Sequence, residues 1–130
     1  MWCINTYEFT CVAQNKFEGQ YKNNDLNIEL ILNLEDDNIT VPGLDGLEFC
    51  YGYLSGKLNG NWIILKVKEQ NLNKAIVRMT CDRGNDAEDV TLELRDDELL
   101  LYQSENYIKT IQAKKYVKIP KPLILKKIIN

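Results

Sequence analysis

Alternation of apolar and polar positions is the dominant pattern along this chain of 130 residues. Between residues 26 and 34, Leu26, Ile28, Leu30, Leu32 and Leu34 recur at every second position among mostly polar neighbours, the period of a half-buried β-strand. Asp36, Asp37 and Asn38 then supply a turn signal, and Ile39-Thr40-Val41 returns as a short strand, so the two segments read as a hairpin. Pro42-Gly43 and Asp45-Gly46 break the chain again. Residues 47–54 follow, with Leu47, Phe49, Tyr51 and Tyr53 on one face.

Asn59-Gly60-Asn61 is a strong hairpin turn, because Asn and Gly both tolerate positive φ. Further strands are predicted over residues 62–67, 75–81, 90–94, 98–103, 116–119 and 123–129. Asp96-Asp97 turns the chain within the second half, and Pro120-Lys121-Pro122 separates the last two segments. Residues 69–74 allow a single helical turn, and no stretch carries a longer helical period. About eight strands follow Phe17, or nine to ten with the N-terminal segments. This predicts an all-β fold, a single antiparallel β-barrel of about 8–10 strands, since sequential hairpins close without leaving long exposed edges.

The segment Phe17-Glu18-Gly19-Gln20-Tyr21 places an aromatic, a glycine and a second aromatic at alternate positions ahead of these strands. It resembles the Gly-x-Trp opening of lipocalin-like (calycin-type) barrels, with Tyr21 in place of the tryptophan. An Ala13-Gln14 junction, the Asp96-Asp97-Glu98-Leu99 turn and the Lys121-Pro122-Leu123-Ile124-Leu125-Lys126-Lys127 ending are similar to features of small exported bacterial proteins of that type. The resemblance covers residues 14–130 and leaves residues 1–13 as a separate N-terminal segment. It implies a lipocalin-like barrel in which the aromatic packs across the barrel base, an exported location (periplasmic or secreted), and no catalytic residues.

Composition agrees with one folded domain. Hydrophobic residues make up 45% and charged residues 27%, which is enough for a core without metal or disulfide support. No apolar run approaches the roughly 20 residues of a membrane-spanning helix. Residues 1–13 lack a basic leader and carry Asn5 and Glu8 where a signal peptide would be apolar. They read either as a first strand or as the remnant of a displaced signal, and a native N-terminus would make the protein cytoplasmic.

Charge is distributed unevenly. Residues 1–108 hold all nineteen acids against nine bases, a net of −10, whereas residues 109–130 hold seven lysines and no acid. A basic tail either marks an anionic partner or places lysines on solvent faces beside acidic neighbours. The second is expected here, and no nucleic-acid partner, because such binding usually needs a net basic surface with stacking aromatics or arginines.

Four cysteines (Cys3, Cys11, Cys50, Cys81) and no histidine remove the mixed zinc sites and the histidine bases on which serine and cysteine nucleophiles depend. In an exported protein Cys50 and Cys81 would be the internal disulfide pair; in a cytosolic one all four are small buried hydrophobes. The paired acids Asp36-Asp37 and Asp96-Asp97 sit in turns rather than across a cleft, so no enzyme activity and no cofactor are expected.

Two groups of residues stand out as binding candidates. Tyr21, Phe49, Tyr51, Tyr53 and Trp62, together with Trp2, either line an apolar cavity inside the barrel or fill its core. Asp82, Asp86, Glu88 and Asp89 form an acidic loop suited to a basic protein partner, and its oxygens offer a calcium alternative at Asp82, Asp86 and Glu88 despite the wrong spacing for an EF-hand. The expected function is therefore a non-catalytic binding module, holding a small apolar ligand inside the barrel. The alternative is an inhibitor or immunity-type protein using its acidic surface.

Overall fold

A computed structural model describes residues 17–35, 38–41, 49–84 and 86–128. The N-terminal segment, the Asp36-Asp37 turn and the start of the strand predicted at residue 47 lie outside them, as do Trp2, Cys3 and Cys11. Ten strands occur among the described residues: β1 (Gly19–Asn23), β2 (Ile28–Leu32), β3 (Gly52–Gly56), β4 (Trp62–Gln70), β5 (Lys74–Cys81), β6 (Ala87–Arg95), β7 (Glu98–Gln103), β8 (Lys109–Gln112), β9 (Lys115–Lys118) and β10 (Leu123–Lys127).

Eight of them form one closed antiparallel barrel in the order β1-β10-β7-β6-β5-β4-β3-β2, and β8-β9 is a separate two-stranded excursion between β7 and β10. Every barrel strand thus pairs with its sequence neighbour except at the seam, where β10 closes onto β1 and β7. The all-β barrel expected from the alternation is the observed fold.

Tight turns set the register. Asp96 takes a left-handed φ of 55°, and the turn pairs Arg95 with Glu98, Leu94 with Leu99 and Val90 with Gln103. Between β4 and β5, Asn71 Oδ1 accepts from the amides of Asn73 (3.3 Å) and Lys74 (3.0 Å). That Asx turn replaces the helical turn allowed at residues 69–74, because Asn71 competes for the backbone donors a helix would need.

Inward positions fill the barrel. Phe17, Tyr21, Leu30, Leu54, Trp62, Met79, Leu92 and Leu101 belong to one continuous buried cluster, and each is no more than 1% exposed. Tyr21 donates its hydroxyl to the Phe17 carbonyl at 2.9 Å, so the motif that opens the barrel satisfies its own polar atom. Burial pushes the Tyr21 phenol up to about 12.

Two expectations fail here. Ile39 does not pair with the preceding strand; it bridges to Cys50, and Val41, Cys50, Tyr53 and Ile63 form a second, smaller cluster with Ile31 and Ile39 packed against it. Alternation also slips at residues 51–52: Tyr51 packs against the interior cluster, and Gly52 is in register with the inward Leu32 and Ile64. At a φ of 157°, a Cβ on Gly52 would lie 2.2 Å from the Ile31 carbonyl oxygen. The slip therefore depends on glycine.

Candidate functional site

The acidic loop predicted from sequence is taken apart by the alternation of β6. Val90 and Leu92 point into the barrel, and two residues earlier Glu88 occupies the same inner row, paired with Met79 and 1% exposed. A carboxylate at the barrel end needs donors in place of water. Glu88 accepts from Ser104 Oγ (2.9 Å) and the Tyr107 amide (2.9 Å), and also from the Glu105 amide.

Next to it Gln103, also buried, donates Nε2–H to the Ile108 carbonyl (3.1 Å) and accepts from the Ile108 amide (2.9 Å). These bonds lash residues 104–108 to the barrel rim and sink Ile108 into the core. A segment that would otherwise be a loop of mixed polar residues thereby becomes a fixed surface.

That surface is a solvent-open depression of about 420 Å³ lined by Arg78, Asp86, Ala87, Asp89, Ser104, Glu105 and Tyr107. On its wall Asp89 is held by Lys68 at 3.0 Å and Arg78 at 2.7 Å. The hydrogen bonds from Lys68 and then Arg78 pull its carboxyl below the usual range. Asp86 and Glu105 are exposed and, among the described residues, carry no ion pair. Tyr107, 44% exposed, also lines the depression.

The sequence-predicted acids are thus separated by role. Asp82 accepts from the Asn61 amide (2.8 Å) and from Asn61 Nδ2 (3.1 Å), clamping the turn before β4. Glu88 anchors the rim and Asp89 is paired, which leaves Asp86 facing the depression. Asp82, Asp86 and Glu88 do not converge on a common point; among the described residues no three acids or cysteines do.

The aromatic candidates divide in the same way. Tyr21 and Trp62 are wholly buried in the barrel, and Trp62 donates Nε1–H to Asn59 Oδ1 at 2.9 Å. Tyr51 packs beside them. Tyr53 belongs to the second cluster, where burial raises its phenol and the neighbouring Glu29 and Cys50 raise it further. Phe49 is 55% exposed. Phe49 and Tyr53 are therefore not interior liners: the slip at Gly52 turns Tyr53 to the outer face, and Phe49 lies before β3, outside the barrel ladder.

Cys50 and Cys81 are likewise kept apart, both as thiols. Cys50 lies in the second cluster, whereas Cys81 packs on the barrel core. The pairing expected for an exported protein does not form between these two positions.

Arg78, Ser104, Glu105 and Tyr107 were not anticipated as site residues. A signal for two of them existed: the two-residue Asp96-Asp97 turn pairs Val90 with Gln103, and continuing that register brings the Ser104 amide to the Asp89 carbonyl at 3.0 Å. Arg78 opposes Asp89 on β5. No family model, curated protein or solved structure matches the chain.

Proposed function

We propose that this chain is a small, non-catalytic interaction module that engages a basic protein partner from outside the barrel, with the depression beside Glu88 as its contact site. The observation that supports this most directly is the buried Glu88 carboxylate. It fixes residues 104–107 before any partner arrives, so little ordering entropy is lost on binding. Asp86 and Glu105 would accept from a lysine or arginine side chain, with the face of Tyr107 providing a cation–π contact. The acidic body of the chain, net −10 over residues 1–108, would steer a basic partner toward it.

The lipocalin-like reading, with an apolar ligand inside the barrel, shares the same fold. It is less favoured because Tyr21, Leu30, Trp62, Met79 and Leu92 already occupy the interior at 0% exposure. One titration series separates the two. Isotope-labelled protein is titrated with an arginine-rich peptide and, separately, with a fluorescent fatty acid. The surface reading expects amide shifts at residues 86 and 104–107 with the peptide, weakened several-fold by Asp86→Asn combined with Glu105→Gln. Saturable fatty-acid binding that quenches Trp62, with no peptide response, would reverse the choice.

A further inference from the structure

The β8-β9 hairpin carries a feature that the barrel avoids. In the barrel, Lys22 stands directly across from Lys126, but Glu29 pairs with Lys22 on one side and Glu98 with Lys126 on the other. The row Glu29-Lys22-Lys126-Glu98 alternates enough to offset the like-charge contact. These are the acidic neighbours expected for the basic tail. In the hairpin, Lys109 stands across from Lys118, and the strand segment beyond Lys109 supplies Lys57 and Asn59 instead of acids. Lys114 and Lys115 add positive charge at the opposite, turn end of the hairpin.

The hairpin's backbone is also half used. The Ile111 amide donates to the Lys57 carbonyl and the Lys109 carbonyl accepts from the Asn59 amide, so these residues of β8 direct their polar groups away from β9. Their cross-strand partners Tyr116 and Lys118 must then direct theirs to the opposite side, as antiparallel pairing requires. Among the described residues β9 pairs with β8 alone, and all four of its residues are exposed, Tyr116 at 60% and Val117 at 43%. The turn itself, Ala113 at φ 51° and Lys114 at φ 68°, holds two side-chain-bearing residues in a conformation that glycine or asparagine normally supplies. The 57–59 segment supports β8 on its other side, which leaves β9 as the weakly held strand.

We infer that β9 is a strand-addition site for a short, extended acidic peptide segment of another protein. Such a segment would hydrogen-bond the outward amides and carbonyls of Tyr116 and Lys118, set carboxylates on the face that carries Lys118 and Lys109, and cover Val117 on the other. It would relieve both the open edge and the uncompensated lysine pair. A second copy of β9 is a poor occupant, since lysines would face lysines. A long polyanion fits less well than a peptide, because beyond this short strand it would run onto an acidic body, and the hairpin offers a single aromatic and no arginine for stacking.

This inference is independent of the Glu88 depression and uses different residues. The probe is a fluorescein-labelled octapeptide of alternating glutamate and valine, tested on the full chain beside three controls: the same peptide N-methylated at alternate residues, a lysine–valine peptide, and a single-stranded oligonucleotide. The expected result is saturable binding of the acidic peptide, at least tenfold weaker for Lys109→Glu combined with Lys118→Glu, with slowed hydrogen exchange at the Tyr116 and Lys118 amides. The N-methylated peptide leaves the protein unaltered and should bind at least tenfold more weakly. Equal binding of the N-methylated peptide, tighter binding of the oligonucleotide, concentration-dependent self-association through β9, or no exchange protection at Tyr116 and Lys118 would each overturn the inference.

Discussion

Glu88 lies 1% exposed at the inner edge of the barrel with three donors on its carboxylate, while Asp89, the next residue, sits on the outer face between Lys68 and Arg78. Their charges are the same and their backbones share one strand. The two-residue period of that strand assigns one to the organisation of the barrel end and the other to a solvated ion-pair network. Charge alone therefore says little about what an acid does here; the side of the sheet on which it falls says most.

The largest effect that would test this contrast is removal of Glu88. Glu88→Ala would strand buried donors on Ser104, Glu105 and Tyr107, and should cost about 3 kcal/mol, lowering the thermal midpoint by roughly 10 °C. Glu88→Gln, which turns an NH2 toward one of the same donors, should be only partly tolerated. Denaturant unfolding measures both. A loss for Glu88→Ala no greater than for Asp89→Ala would mean that the rim holds itself without the carboxylate.

Burial should be as visible in a proton as in a mutation. Tyr21 is pushed up to about 12 by desolvation, so its neutral form contributes fully below the unfolded value near 10. As pH rises from about 10 toward 12 the unfolded chain loses its proton first, and stability should fall by roughly 2–3 kcal/mol at most. Absorbance titration of the phenolates, with Tyr21→Phe as reference, should show the Tyr21 phenol ionising only well above the ordinary tyrosine range. Ionisation of Tyr21 within the ordinary tyrosine range without unfolding would mean that its hydroxyl is hydrated.

A smaller effect tests the turn that sets the β6-β7 register. Asp96 holds φ at 55°, so Asp96→Ala should lose about 1 kcal/mol while Asp96→Gly stays near neutral. If both lose equally, the aspartate side chain, rather than its tolerance of the left-handed region, stabilises the turn.

Least of all should follow from Asp89→Asn. An exposed pair contributes below about 1 kcal/mol and is screened by salt, so the difference from wild type should shrink toward zero near 1 M salt. Because Asp89 is held below its usual range, its contribution is present above the unfolded value near 3.9 and is lost as pH falls through the depressed one. Unfolding curves at neutral pH and below about pH 3 would show it: a difference that survives acid or salt would place Asp89 among the structural carboxylates with Glu88.

The alternation at residues 26–34 and 90–94 and the Asp96-Asp97 turn were sufficient to specify strands and a hairpin, because each is local and depends on at most a few residues of backbone geometry, and the run of sequential hairpins pointed to the all-β barrel. The odd-position reading of residues 47–54 failed at Gly52, where the Ile31 carbonyl on the neighbouring strand leaves no room for a Cβ, a long-range constraint that no local pattern reports. β8 went unseen because its partners, Lys57 and Asn59 across the sheet, supply the pairing that Lys109 to Gln112 do not announce by themselves.

The acids of the candidate site were legible as a group, yet their division into anchor, ion pair, turn clamp and exposed rim was not. By itself the sequence determined which stretches alternate and where they reverse, since both follow from side-chain period and turn propensity. Tertiary structure alone decided that Glu88 faces inward, that residues 104–108 seal the barrel end, and that Lys109 and Lys118 meet without an acid between them. Those outcomes depend on closing eight strands into one barrel, and closure brings together residues that no local rule relates.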